Sequence, residues 1–146
     1  MTRPTNMTAA EYRALPKKRQ QPEAAFQRRV AFYLSFALPQ DAFWSAIGHG
    51  GGGKIRGAQL LLMGVKPGVP DIIILWCGIF VGLELKAAKG TTSPAQDRAA
   101  SKIEMAGGQY YVCRTIDDVI DALRLSGIPS RVREGIPLRA RVARAA

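Results

Sequence analysis

Asp71, Glu84 and Lys86 are the residues whose types and spacing suit joint chemistry. Two carboxylates held side by side repel each other, and a bound cation relieves that repulsion. Asp71, Glu84 and a main-chain carbonyl such as that of Leu85 supply the all-oxygen, part-hydrated shell that Mg2+ prefers. A lysine beside such a metal can orient a water or neutralise charge on a phosphate. A solvated carboxylate pair at a sheet edge would use the same two acids. The apolar run between them, and Lys86 on the same face, favour the cation.

The elements that must position these groups are two apolar runs of strand length. Gly68 to Leu75 and Ile79 to Lys86 are parted by Trp76-Cys77-Gly78, which is a hairpin signal. The unbroken run Ile72 to Leu75 predicts a strand covered on both faces. Antiparallel partners have position numbers with a constant sum, and a two-residue Cys77-Gly78 loop sets that sum by pairing Trp76 with Ile79. A four-residue loop keeps the same register, whereas a three-residue loop breaks it. In this register Asp71 stands opposite Glu84 on one face, with Cβ atoms about 5 Å apart. Glu84 and Lys86, two positions apart, share that face.

At these residues the chain resembles a known family. Pro70-Asp71 followed by Glu84-x-Lys86 is the signature of the PD-(D/E)xK nuclease superfamily. The fuller string Gly68-x-Pro70-Asp71, Glu84-x-Lys86 and Gln96 resembles its VRR-NUC branch, the virus-type replication-repair nucleases. The resemblance runs from about Pro22 to Arg114. It implies a restriction-endonuclease-like α/β core and hydrolysis of DNA phosphodiester bonds with Mg2+ (or Mn2+), without a further small-molecule cofactor. It also implies roles: Asp71, Glu84 and the Leu85 carbonyl on the metal, Glu23 in the metal site or beside it, and Lys86 assisting the attacking water. Gln96 would position the scissile phosphate or a water. Small free-standing members imply a homodimer acting on branched DNA.

Charge points to the same partner. The 146-residue chain has a net charge of +10, suits one domain and has no apolar run long enough to span a bilayer. Arg3, Arg13, Lys17, Lys18 and Arg19 against Glu11 make residues 1–21 strongly basic. Arg131, Arg133, Arg139, Arg141 and Arg144 against Glu134 do the same for residues 127–146. Both ends lack periodicity: residues 1–21 are expected to be a disordered basic arm and 127–146 a basic tail, flanking a nuclease domain at 22–126. They could be solubilising tails, but segregation of charge to both ends favours phosphate contacts, Lys17, Lys18 and Arg19 among them. No amphipathic stripe accompanies the charge, which disfavours a membrane surface. Cys77 and Cys113 lack metal-type spacing and read as small buried residues of a reduced, cytoplasmic protein, in the host cytoplasm if viral.

Along the chain, Pro22 to about Leu38 predicts a helix with Phe26, Val30, Leu34, Ala37 and Leu38 as its apolar stripe. Glu23 and Gln27 extend that stripe. The helix dipole alone would explain an acid in the first turn, while a core-facing place suggests a site role. Ala42 to Ile47 is a short strand, and Gly48-His49-Gly50-Gly51-Gly52-Gly53-Lys54-Ile55 fits most of a Walker A loop. Ile55 stands where a hydroxyl must hold Mg2+, so nucleotide hydrolysis is the minor alternative. A glycine loop carrying Lys54 and Arg56 toward a DNA backbone reads better, with Lys66 a further basic residue before the hairpin. The family usually has an asparagine in this loop, and His49 departs from it; a loop hydrogen-bonder suits His49 better than a catalytic base.

Arg56 to Met63 predicts a helix stopped by Gly64. Ser93-Pro94-Ala95-Gln96 opens the next one, and Gln96 has two readings there: N3 partner of a capping box, or active-site residue. Ala95, Ala99, Ile103 and Ala106 form its expected buried face. Gln109 to Arg114 is a strand expected parallel to the Glu84 strand, followed by a helix over Ile116 to Leu125. The expected architecture is a mixed sheet of about four strands flanked by helices. A non-catalytic DNA-binding module of the same fold is the remaining alternative.

Overall fold

The computed structural model describes residues 22–48 and 54–132. In chain order the elements are α1 (Pro22–Ala37), β1 (Phe43–Ala46), α2 (Lys54–Leu62), β2 (Ile72–Trp76), β3 (Ile79–Leu85), α3 (Pro94–Met105), β4 (Gln109–Cys113) and α4 (Ile116–Ser126). The four strands form one mixed sheet in the order β1-β2-β3-β4. β1 and β2, and β2 and β3, pair antiparallel, while β3 and β4 pair parallel. None of the described helices is long and apolar enough to cross a membrane.

The hairpin turns at Cys77-Gly78, both with positive φ (47° and 78°), as a type I′ loop requires. Its ladder pairs Trp76 with Ile79 and Ile72 with Leu83, so the register that opposes Asp71 to Glu84 is the observed one. Cys77 is therefore exposed in the turn rather than buried. Cys113 is buried as expected, and burial pushes its thiol up to about 12.

One sheet face carries the core. Ile72, Ile74, Val81, Leu83, Leu85 and Cys113 pack there with α1 and α4, through Val30, Tyr33, Leu34, Val119, Ala122 and Leu123. β2 is not covered on both faces: Ile72 and Ile74 are buried, while Leu75 is 46% exposed. An unbroken apolar run hid this alternation, because α3 shields only part of the second face. α3 itself buries no residue completely, so Ala95, Ala99 and Ile103 lie only part-covered and Ala106 is exposed.

The folded unit also runs beyond 126. Ile128 and Val132 belong to the core. The Arg131 backbone N–H donates to the Ala37 carbonyl at 2.8 Å, and its guanidinium donates to the carbonyls of Leu38 (2.7 Å) and Ser35 (3.3 Å). Arg131 thus satisfies carbonyls at the C-terminal end of α1. Ile128, Arg131 and Val132 are thus packed on the fold, and Arg131 leaves the set of free tail charges.

Candidate active site

The candidate site lies on the sheet face opposite the core. Asp71, Glu84 and Lys86 come together there, and α3 brings Gln96 to them. Glu84 is buried, at 2% exposure, in the middle of the group. Its Oε1 accepts from the Gln96 side-chain amide and lies 3.2 Å from Lys86 Nζ. Its Oε2 accepts from the Tyr110 hydroxyl at 3.3 Å. Asp71 Oδ2 accepts the Leu85 backbone N–H at 2.7 Å. In a strand, N–H and C=O of one residue leave on the same side, so the Leu85 carbonyl also faces the Asp71 side.

Gln96 completes the helix cap and also reaches Glu84. Its Oε1 accepts the Ser93 N–H (2.9 Å) while the Ser93 hydroxyl accepts the Gln96 N–H (3.3 Å), which completes the capping box. The amide nitrogen is left over and donates to Glu84. The cap therefore fixes the rotamer that points a donor at the carboxylate.

Two glycines allow this close assembly. Gly68 has φ +82°, and a Cβ there would stand 2.2 Å from the Ala95 carbonyl oxygen. The loop before Asp71 thus presses on the first turn of α3, where only glycine fits. A Cβ on Gly82 would meet Pro70 Cγ at 2.8 Å and Tyr110 Cδ2 at 3.5 Å. Gly82 pairs with Tyr110 in the parallel ladder, and its bare surface lets Pro70 and the Tyr110 ring lie over β3. Arg114 ties the intervening loop down by donating to the Gly90 carbonyl at 2.8 Å.

The electrostatics follow from burial. Glu84 is held above the ordinary carboxylate range, first by desolvation and next by the Asp71 charge, with Lys86 opposing both. Tyr110 is pushed well above the usual phenol range by burial and then by the charge of Glu84, so it stays protonated and donates. Two acids stand against one lysine in the cluster. Two carboxylates and the Leu85 carbonyl form a hard oxygen donor set, which fits Mg2+ or Mn2+ with waters completing the shell.

Glu23 is not part of this assembly. It is exposed in the first turn of α1, where Phe26 is the first buried side chain, and it makes no hydrogen bond or ion pair with Glu84, Lys86 or Gln96. The stripe expected to run through Glu23 stops short of it. Among the described residues no group of three His, Cys, Asp or Glu side chains could hold a metal. Arg56 and Lys66 are exposed, and Lys54 opens α2. Lys17, Lys18, Arg19 and His49 lie outside the described residues. Tyr110 is the site residue that sequence reasoning missed. Its signal was a polar-tipped aromatic in the strand expected beside Glu84.

A mixed four-stranded sheet flanked by helices, with an acidic hairpin and a glutamine-bearing helix on one face, defines a restriction-endonuclease-like α/β fold. A solved structure described as "VRR_NUC domain protein" matches with TM-score 0.54 and 21% identity, covering 73% of this chain and 88% of that one. The chain thus folds as a VRR-NUC-like domain. No protein-family model matches the sequence, and no curated protein matches it significantly.

Proposed function

We propose that the protein is a metal-dependent DNA nuclease that hydrolyses phosphodiester bonds at the Asp71–Glu84–Lys86 cluster. The observation that carries this reading is the buried Glu84 carboxylate, set beside Asp71 and gripped by Lys86, Gln96 and Tyr110. Burying a second acid beside a first is costly for stability alone, and a divalent cation shared by the pair explains the arrangement.

Asp71, Glu84 and the Leu85 carbonyl would hold Mg2+ or Mn2+. The bound ion would supply Lewis acidity, screening phosphate charge and acidifying water. The chain's own groups do the positioning. The Leu85 N–H fixes the Asp71 carboxylate, while Gln96 and Tyr110 each hold one oxygen of Glu84. The Lys86 ammonium, 3.2 Å from Glu84 Oε1, is the group that would meet a phosphate oxygen or the attacking water. The excess of 21 Lys and Arg over 11 Asp and Glu suits a polyanionic substrate.

The test is a Mg2+-dependent cleavage panel of single-stranded, duplex, flap and four-way DNA. Wild-type protein is expected to cut at least one substrate in Mg2+ and none in EDTA. Asp71→Ala, Glu84→Ala and Lys86→Ala are each expected to abolish cutting while still binding DNA. Wild-type rates in any folded variant of the three would remove its residue from the site.

A further inference from the structure

The sheet face that bears the carboxylates continues away from them as an apolar ledge. Alternation along β2 puts Asp71, Ile73 and Leu75 on this face, and Leu75 pairs with Phe43 on one side and Phe80 on the other. α3 packs on β4, and its Ile103 lies with Phe80 against Gly108. Phe43 is 61% exposed and Leu75 is 46% exposed, directly opposite each other across the ladder. Neither belongs to the core, nor packs against it.

Leu75 lies four residues from Asp71 along β2, about 13 Å at the usual strand rise. That is the reach of about four stacked nucleotides at 3.4 Å each. A DNA strand laid along β2 from a phosphate at the carboxylates would pass an exposed aromatic ring and a leucine on the same face. These side chains carry no donor for phosphate or for base edges. They offer apolar contact and a ring face, which suit the flat face of a base. In a duplex those faces are hidden in the stack; in a single strand they are free.

We propose that Phe43, backed by Leu75, is a stacking subsite for unpaired nucleobases, so that the protein selects DNA with a single-stranded segment beside the scissile bond. The subsite rests on the nuclease reading for its place in a reaction, but binding can be measured without catalysis. Charge complementarity between the +10 chain and DNA, together with continuity of the ledge with the carboxylate face, favours this occupant over a second copy of the chain.

The experiment is an anisotropy titration in EDTA, using full-length protein, a mixed-sequence single strand and a blunt duplex of equal phosphate number at one salt concentration. Phe43→Ala is expected to weaken single-strand binding by about five- to 150-fold, with duplex binding changed about twofold at most. Phe43→Trp should keep the single-strand affinity, and abasic sites in the strand should bring wild type down to the Phe43→Ala value. Equal weakening on both DNAs, or no change on either, would overturn the subsite. So would a Phe43→Ala protein that binds both DNAs as wild type but loses self-association in sedimentation. Selectivity in EDTA without cleavage in any metal would leave the subsite standing and remove the nuclease reading. Cleavage without selectivity would do the reverse.

Discussion

Replacing Glu84 by glutamine changes one buried charge and almost no shape. Glu84 is 2% exposed, and its ionised form is opposed by burial and by Asp71 more than Lys86 favours it. Its folded pKa is therefore raised above the unfolded value, and the folded protein holds the proton more tightly than the unfolded chain does. By linkage the ionised carboxylate costs stability, about 1.4 kcal/mol per unit of pKa displacement. That cost is fully present above the folded pKa and fades as pH falls through it toward 4.5. Glutamine removes the charge, keeps an acceptor for Gln96 and Lys86, and offers its NH2 to the Tyr110 oxygen. Against this, Lys86 loses its charged partner, side-chain exposure 13%, which offsets part of the gain. The expected net effect is a variant more stable than wild type by on the order of 1 kcal/mol at pH 7.5 in EDTA, about 3–5 °C in Tm. The difference should close near pH 4.5. In Mg2+ the order should reverse, because wild type gains about 2.7 kcal/mol at 100-fold excess over Kd and the variant does not. Thermal melts by circular dichroism in the three buffers decide it. A variant less stable than wild type in EDTA at pH 7.5 would refute the claim that Glu84 sits in an electrostatically unfavourable place.

Gly68→Ala is expected to cost about 2–4 kcal/mol and most of the cleavage, since it strains a positive φ and collides with the start of α3; denaturant melts read the first and a cleavage assay the second. Tyr110→Phe should lose about 0.5–1.5 kcal/mol in the same melts and lower, without abolishing, the cleavage rate, because Gln96 still holds Glu84. Deleting residues 127–146 should destabilise the fold by several kcal/mol through removal of Ile128, Arg131 and Val132. Deleting only 133–146 should leave the melt unchanged and flatten the salt dependence of DNA binding, by about 0.9 in log–log slope for each phosphate the arm had neutralised.

The hairpin was legible because its turn and its register are local: Cys77-Gly78 sets the pairing, and the pairing sets Asp71 against Glu84. What lay beyond it depended on packing between elements. β4 joins β3 through α3, with no turn to fix its register, so its direction was readable while the pairing of Tyr110 with Gly82 was not. Gln96 looked like a choice between cap and catalysis because residue-level reasoning treats a side chain as one group, whereas its two ends face different partners. Glu23 had the angular position of a stripe residue, but burial in α1 begins at Phe26. Ile128 and Val132 were hidden among arginines and prolines, where two isolated apolar residues give no periodicity to read.

The claim on which the rest depends is that Asp71 and Glu84 share one cation, and Mn2+ titration followed by electron paramagnetic resonance measures it directly. One ion is expected to bind per wild-type chain, and none in Asp71→Asn or Glu84→Gln. Lys86→Ala and Glu23→Ala should bind as wild type does. Undiminished Mn2+ binding in folded Asp71→Asn and Glu84→Gln would contradict it.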